Sequence, residues 1–154
     1  MAVARVNGSE LFYTEAGHGV PCLVMHGGLG VDHTQFREWL DPLGDVLRLI
    51  YYDHRGNGRS GRPPIETLTF DQLVADADAL RAHLGYDQIA VMGHSYGGCL
   101  ALLYALRYPL APHAPDAGWN DGGVGLLRRA RRRVAAPRAE PRSGQGTGRF
   151  ANVG

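Results

Sequence analysis

The sequence contains no lysine, so all sixteen of its basic residues are arginines. It has only two cysteines, too few for the disulfide framework of a small secreted domain. Cys22 lies in an apolar strand pattern and Cys99 in an apolar helix pattern, and we expect both to be buried free thiols. No apolar run approaches the roughly 18–20 residues that a membrane-spanning helix needs, so no membrane association is expected.

Targeting and cofactor signals are also missing. The first residues lack the basic stretch and apolar core of a secretory signal peptide, and we therefore expect a cytoplasmic protein. There is no Gly-x-Gly-x-x-Gly turn between a strand and a helix, which argues against a dinucleotide site. Asp32 and His33 are adjacent and have no third ligand at a sensible spacing, so neither a metal nor any other cofactor is expected.

Charge is unevenly distributed, although the formal net charge is only +1. Residues 1–108 carry eight arginines against twelve acidic residues, whereas residues 109–154 carry eight arginines against three. The second part is rich in arginine, alanine, glycine and proline, and such a composition buries too little apolar surface to offset the entropy of ordering. We predict a folded domain over residues 1–109 and an unstructured tail over residues 110–154.

Hydrophobic patterns in the first part predict alternating strands and helices. Asn7-Gly8 separates two short extended runs and favours an antiparallel hairpin. Strands buried on both faces are predicted by continuous apolar runs at residues 21–26, 46–52 and 88–92. Helical spacing follows each strand, at residues 31–43, 70–84 and 95–107. This order predicts an α/β fold, with a mainly parallel sheet, helices on both faces and the hairpin at one edge.

Two of the predicted helices carry further signals. The helix over residues 70–84 begins at a capping box formed by Thr69 and Gln72, and Gly85 ends it. Its apolar face, which includes Phe70, is expected to face the core. Its outward-facing residues are predicted to be Asp71, Asp76, Asp78 and Arg81. The helix over residues 95–107 is apolar nearly all round, so we expect it to be buried.

A serine motif joins the last predicted strand to the last helix. A serine framed as Gly-x-Ser-x-Gly at such a junction, here Gly93 to Gly97 around Ser95, is typical of a nucleophile elbow. Gly93 and Gly97 support the turn because its two flanks crowd together, and a β-carbon there would clash. The other interpretation is a glycine-rich turn in which the serine has no function.

Two more motifs follow the two preceding strands. They are His26-Gly27-Gly28-Leu29-Gly30 and Asp53-His54-Arg55-Gly56-Asn57-Gly58-Arg59-Ser60. With the serine motif they resemble the N-terminal half of the α/β-hydrolase fold, and they are most similar to proline-iminopeptidase-like hydrolases. The resemblance extends over about residues 10–109 and implies an incomplete α/β-hydrolase domain. It also implies a serine hydrolase of acyl bonds, either esters or N-terminal peptide amides, with a small-molecule or peptide substrate.

The resemblance implies roles for individual residues. Ser95 is the nucleophile, and the backbone N–H groups of Gly28 and Tyr96 form the oxyanion hole. His26 supports the loop that carries Gly28 through hydrogen bonds. A role as catalytic base is disfavoured for His26 because of that position, and for His94 because adjacent side chains on a tight turn diverge. The charged residues of the Asp53 motif are interpreted as bracing the edge of the sheet.

The acid and the histidine of a catalytic triad are not apparent. In this fold they follow the serine in the order acid, then histidine. The candidates after the serine motif do not follow apolar strands; they are His113, Asp116, Asp121 and Glu140. We therefore expect little turnover from this chain alone. The abrupt change in composition after residue 109 is interpreted as the product of a truncated or frameshifted gene.

An alternative function rests on the basic run at residues 128–133. A catalytically inactive remnant or binding module would use this run to contact polyanions. The simpler interpretation is a solvated charged segment, and no specific nucleic acid is expected as a partner. Nothing in the sequence indicates an oligomeric state.

Overall fold

The computed structural model describes residues 2–28 and 30–109, which form a mixed five-stranded sheet with helices packed on it. The strands are β1 (Ala2–Val6), β2 (Ser9–Gly17), β3 (Val20–Met25), β4 (Leu47–Tyr52) and β5 (Ala90–Gly93), in the order β1-β2-β4-β3-β5. β3 is parallel to β4 and β5, whereas β2 is antiparallel to β1 and β4. The predicted fold class is confirmed, and the predicted tail at residues 110–154 lies outside the described residues.

The hairpin forms where the Asn-Gly pair predicts it. Val6 is paired with Ser9, so the loop between β1 and β2 consists of Asn7 and Gly8 alone. Both loop residues have positive φ angles, 47° and 72°, which is the conformation of the two-residue turn that matches strand twist. The hairpin then joins the parallel strands through the pairing of β2 with β4.

The helix predicted over residues 31–43 is broken into three short pieces. These are a 3-10 helix (His33–Phe36), helix α1 (Arg37–Leu40) and a second 3-10 helix (Asp41–Asp45). Pro42 lies at the start of the third piece, where it has no N–H to continue the α-helical hydrogen bonds. The prediction of one continuous helix was therefore wrong.

Helix α2 (Phe70–His83) begins at the predicted residue and ends one residue before the predicted end, with Leu84 as its C-cap. The Thr69 hydroxyl accepts a hydrogen bond from the Gln72 N–H at 3.2 Å. The Gln72 side chain donates to Asp76 at 3.0 Å instead of returning to the cap, so only half of the capping box forms. Gly85 follows the helix with a φ angle of +77°, a left-handed conformation that ends helices.

Two side chains of α2 do not lie where the pattern placed them. The pattern predicts a core position for Phe70, but 45% of its surface is exposed. The pattern predicts an outward position for Asp76, but only 1% of its surface is exposed. Asp76 is buried because it pairs with Arg55, whose position in a distant loop the helical pattern cannot reveal.

The two faces of the sheet have separate apolar cores. On one face, α2 and α3 (Tyr96–Arg107) pack on residues that include Leu23, Met25, Ile50 and Tyr52. On the other face, the segment around α1 packs on Cys22, Val24, Leu49 and Tyr51. Alternate residues of β3 and β4 thus serve opposite layers, which confirms the prediction of helices on both faces.

Helix α3 is buried on one side only, so the prediction of burial all round was wrong. Leu100 and Tyr104 face the core. The opposite side carries exposed apolar residues, with exposed fractions of 70% for Leu102, 40% for Leu103 and 80% for Leu106. Cys99 is exposed as well, which corrects the expectation of a buried thiol, whereas Cys22 is buried as expected. Among the described residues, no helix has both the length and the apolar character that a bilayer crossing requires.

Candidate active site

Ser95 occupies a strained turn at the carboxyl end of β5. The strand ends at Gly93 and α3 begins at Tyr96, so only His94 and Ser95 connect them. Ser95 has φ 53° and ψ −118°, a backbone conformation that residues other than glycine rarely adopt. Such a conformation costs on the order of 1–3 kcal/mol and persists only when the surrounding structure holds it.

Gly93 and Gly97 leave no room for a side chain. A β-carbon on Gly93 would overlap the carbonyl group of Gly97. One on Gly97 would overlap the carbonyl oxygens of Met25 and His26, at the end of the neighbouring strand β3. The first glycine therefore lets the turn close, and the second lets α3 lie directly against β3.

The hydroxyl group of Ser95 is not used to stabilise the helix that follows it. Ser95 is the N-cap of α3, where a serine usually accepts a hydrogen bond from the first turn, yet it makes no such bond. Within residues 2–28 and 30–109, no hydrogen bond engages this exposed hydroxyl. The N–H of Tyr96 has no intrahelical partner at this helix start, and the helix dipole there favours negative charge.

Hydrogen bonds to the side chains of His26 and Asn57 hold the glycine loop after β3 in place. The imidazole of His26 is fully buried, and its Nδ1 lies 2.8 Å from the carbonyl oxygen of Gly27. Its Nε2 accepts a hydrogen bond from the N–H of His54 at 3.0 Å. Further along, the Gly30 N–H donates to the Asn57 side chain at 2.9 Å. Gly28 lies between these anchors, exposed and with a φ angle of +44°.

This loop and the serine turn lie side by side. Met25 is paired with Gly93, and the His94 N–H donates to the Met25 carbonyl at 3.3 Å. A β-carbon on Gly27 would lie 3.1 Å from Nδ1 of His94, so the backbone of the loop contacts the turn closely. The Gly28 segment and Ser95 therefore share one edge of the sheet.

Asp53, at the end of β4, braces the same edge. It is fully buried, and its Oδ1 accepts hydrogen bonds from the backbone N–H and the Nδ1 of His33, at 2.8 and 2.7 Å. Its Oδ2 accepts from the Arg59 N–H at 2.8 Å. The Ser60 hydroxyl donates to the Asp53 carbonyl at 2.6 Å. The loop after β4 is thus a hydrogen-bonded frame, as its interpretation as a brace predicts.

A buried ion pair ties this frame to α2. The Arg55 guanidinium forms a two-pronged contact with Asp76: Nη2 to Oδ1 at 2.7 Å, and Nε to Oδ2. The same Nη2 donates to the Asn7 carbonyl in the hairpin turn at 3.1 Å. The side chains are only 2% and 1% exposed, so the pair is shielded from solvent. The sequence gives no signal for this pair, because its partners lie in a loop and on a helix.

One group of potential metal ligands occurs among the described residues, namely Asp32, His33 and Asp53. The sequence spacing did not reveal the third member, because strand β4 brings it in from elsewhere in the chain. Hydrogen bonds occupy these atoms: Asp32 Oδ1 accepts from the N–H and the hydroxyl of Thr34, and Asp53 binds His33. The bonds from Thr34 also hold the pKa of Asp32 below its usual value. These hydrogen bonds are sufficient to explain why Asp32, His33 and Asp53 lie close together.

No histidine in the described part of the chain is bonded to Ser95. His26 has both ring nitrogens engaged, and His54 donates from Nε2 to the His26 carbonyl at 3.1 Å. Burial lowers the pKa of His26 and lowers that of His54 to about 3, so both rings are neutral. His33 is bonded to Asp53. The remaining candidate from the sequence, His113, lies outside the described residues.

Aromatic rings from opposite sides of the sheet contact the two neighbours of Ser95. The His94 ring meets Phe36 edge to face, with centroids 5.7 Å apart. The Tyr96 ring packs on Phe70, with centroids 5.2 Å apart. These contacts fix both flanks of the turn, and the sequence patterns alone assigned neither phenylalanine to the site.

The chain is similar in sequence to known proteins. The family model of the alpha/beta hydrolase fold matches residues 21–123. A proline iminopeptidase of Pestalotiopsis fici is 33% identical over 135 residues, which cover 80% of this chain and 47% of that protein.

Solved structures show the same similarity. The structure of a proline iminopeptidase-related protein of Thermus thermophilus has a TM-score of 0.66 and 32% identity, covering 70% of this chain and 40% of that one. An epoxide hydrolase of Bacillus megaterium has a TM-score of 0.65 and 28% identity, covering 70% and 38%. The chain thus spans less than half the length of these relatives.

Proposed function

Because this chain belongs to the α/β-hydrolase fold family, we propose that it is a serine hydrolase of acyl bonds with Ser95 as its nucleophile. The observation that carries the proposal is the strained turn at Ser95, where the residue is exposed and its hydroxyl bonds to no other described residue. The strained conformation of Ser95 does not provide a capping hydrogen bond for the helix, and strained residues are concentrated at active sites, so a catalytic role explains it better than a role in stabilising the fold. The similarity to proteins named as proline iminopeptidases favours an N-terminal peptide amide or a related ester as substrate.

The proposed reaction uses the groups gathered at this edge of the sheet. The Ser95 oxygen attacks the substrate carbonyl carbon while a base takes its proton. Negative charge then develops on the carbonyl oxygen and is stabilised by the N–H groups of Tyr96 and Gly28. Loss of one such donor raises the barrier by about 3–4 kcal/mol. The C–N or C–O bond of the tetrahedral intermediate then breaks, and the amine or alcohol leaves with the proton that the base returns to it. Water hydrolyses the remaining acyl-serine and releases the acid and free Ser95.

The proposed reaction also requires a histidine base and an acidic residue that orients it. Among residues 2–28 and 30–109, no aspartate–histidine pair is bonded to Ser95. We therefore expect slow turnover by this chain alone. An oxyanion hole without a working triad still gives roughly 10³–10⁴-fold acceleration over water.

We propose separately that the change in composition after residue 109 results from a shift of reading frame within the gene. The family match nevertheless continues to residue 123. Sequencing the locus and translating all frames tests this. A hydrolase-like continuation in another frame supports it, and the absence of one in either frame contradicts it.

Ester and amide hydrolysis tests the main proposal. The substrates are 4-nitrophenyl acetate and proline 4-nitroanilide, and the variants are wild type, Ser95→Ala and the control Ser9→Ala in the hairpin. We expect wild type and Ser9→Ala to hydrolyse at least one substrate faster than Ser95→Ala does. Equal rates for wild type and Ser95→Ala on both substrates would contradict a nucleophilic role for Ser95.

A further inference from the structure

Two buried imidazoles lie against each other beneath the glycine loop. The ring centroids of His26 and His54 are 4.0 Å apart, and both residues are at most 1% exposed. Two hydrogen bonds join each ring to the backbone of the other residue: the backbone N–H of His54 donates to His26 Nε2, and His54 Nε2 donates to the backbone carbonyl of His26. The His54 ring also faces the Tyr96 ring edge-on, with centroids 6.4 Å apart. The pair therefore touches both segments that carry the proposed oxyanion donors.

The hydrogen bond from His54 determines the tautomer of His26. Nε2 of His26 receives a backbone N–H at 3.0 Å, so it cannot itself carry a proton. The ring proton of a neutral imidazole must then be on Nδ1. Nδ1 lies 2.8 Å from the Gly27 carbonyl oxygen and donates to it. Burial favours the neutral ring by lowering its pKa, which is consistent with this assignment.

The bond to Gly27 fixes the direction of the next N–H group. The carbonyl of Gly27 and the N–H of Gly28 belong to one peptide unit, which is planar and trans. In a trans unit the two groups point in opposite directions. Because the carbonyl points at the buried ring of His26, the Gly28 N–H points away from it, towards the exposed side of the loop. Glycine at both positions would otherwise allow this peptide to rotate.

We infer that the backbone N–H of His54 and the ring of His26 form a hydrogen-bond relay that aims the Gly28 N–H at the substrate oxyanion. The His54 N–H selects the Nδ1–H form of His26, and the His26 ring then holds the Gly27–Gly28 peptide in its productive orientation. Both are positioning residues, since neither contacts the reacting atoms. The inference rests on the proposed function, in which Gly28 supplies one of the two oxyanion donors.

The tautomer is measured directly on the wild-type protein. Two-bond ¹H–¹⁵N correlation spectra of the histidine rings separate Nδ1–H, Nε2–H and doubly protonated forms. We expect His26 to be in the Nδ1–H form and His54 in the Nε2–H form at pH 7.5. An Nε2–H or doubly protonated His26 ring would overturn the relay. This measurement requires neither a variant nor catalytic turnover.

Two substitutions of His26 separate orientation from packing. The amide nitrogen of asparagine takes the place of Nδ1, whereas the amide of glutamine takes the place of Nε2. His26→Asn therefore keeps a donor for the Gly27 carbonyl, and His26→Gln removes it. We expect the Gly28 amide resonance to stay near its wild-type position in His26→Asn and to move in His26→Gln. Equal movement in both variants, or in neither, would contradict the inference.

Reaction of Ser95 with a fluorophosphonate then measures the functional consequence. We expect the labelling rate of His26→Gln to fall on the order of 100-fold, as when one oxyanion donor is lost. His26→Asn should react at least about tenfold faster than His26→Gln. The exposed His83→Gln on α2 serves as a matched control and should react at the wild-type rate.

The outcomes distinguish the two proposals. If wild type is labelled at Ser95 but His26→Asn and His26→Gln react equally, the relay is wrong and the proposed function stands. If wild type is not labelled, the nucleophile assignment falls. The ring and amide spectra still decide in that case whether His26 sets the orientation of the peptide.

Discussion

Gly97 of helix α3 lies directly against the carbonyl oxygen of Met25 at the end of strand β3. No side chain fits between them, because a β-carbon on Gly97 would overlap this oxygen and that of His26. The same contact places the start of α3, and hence the N–H of Tyr96, beside the glycine loop. The docking of α3 and the geometry of the proposed oxyanion hole thus both depend on the absence of a side chain at Gly97.

Gly97→Ala should therefore destabilise the fold, whereas the adjacent Gly98→Ala should not. Overpacking of this kind costs typically about 1–3 kcal/mol, and the rigid backbone of β3 cannot move aside. A β-carbon on Gly98 would have its nearest neighbour at 3.6 Å, an ordinary contact, and alanine favours the helix by up to about 1 kcal/mol. Urea unfolding monitored by circular dichroism measures both variants. Similar midpoints for the two would contradict the crowding argument.

Breaking the buried pair between Arg55 and Asp76 should cost about 3–5 kcal/mol. Asp76→Asn leaves a guanidinium buried without its counter-charge, which is the costly situation for a buried ion pair. The exposed pair of Arg5 and Glu10 provides the control, and Glu10→Gln should change the free energy of unfolding by less than about 1 kcal/mol. Equal effects of Asp76→Asn and Glu10→Gln in urea unfolding would show that burial does not matter here.

Stability should fall as the pH drops from 7.5 to 5. Burial lowers the pKa of His54 from 6.5 to about 3, so the unfolded chain binds a proton in this range that the folded protein excludes. The unfolded state binds more protons below pH 6.5, and this group alone should lower the free energy of unfolding by about 2 kcal/mol at pH 5. His26 acts in the same direction.

Urea midpoints at several pH values test this, with His54→Gln as the comparison. We expect a shallower dependence in that variant, since it lacks the titrating ring. A wild-type protein that is equally stable at pH 7.5 and pH 5 would rule out a neutral, buried His54.

The two thiols should react at very different rates. Cys22 is buried within the sheet, and desolvation raises its pKa to about 12, so little thiolate forms. Cys99 is exposed on α3. With Ellman's reagent at pH 8 we expect one thiol to react rapidly in the folded protein and the second only after unfolding in guanidinium. Cys99→Ser should abolish the rapid phase; a rapid phase that persists would place Cys22 at the surface.

Much of the fold could be predicted because its signals are local. The Asn7-Gly8 turn, the buried strands β3 and β4 and the stop at Gly85 each depend on a few neighbouring residues. The prediction of burial on both faces was wrong for β5, an edge strand whose four residues are only half-buried. The burial of Asp76 and the exposure of one side of α3 could not be predicted in this way. The first depends on Arg55, which is distant in sequence, and the second on which elements cover the helix.

The same distinction applies to the site. The crowding at Gly93 is against Gly97 within the turn itself, so the serine motif revealed it, whereas the crowding at Gly97 is against Met25 and His26 at the end of the neighbouring strand, which the motif alone does not show. The hydrogen bonds between His26 and His54 depend on β3 and β4 being parallel neighbours, which brings two separate loops together. Each motif can be recognised in the sequence, but the contact between the two motifs cannot.

Labelling with a fluorophosphonate, followed by mass spectrometry of the peptides, tests whether Ser95 is a nucleophile. We expect one phosphonyl group on the peptide that contains Ser95 in the folded wild-type protein. We expect no labelling of that peptide in Ser95→Ala or after denaturation, because only the folded turn aligns the hydroxyl with the oxyanion donors. A wild-type protein whose Ser95 remains unlabelled, or labelling that persists in Ser95→Ala, would contradict this role of Ser95.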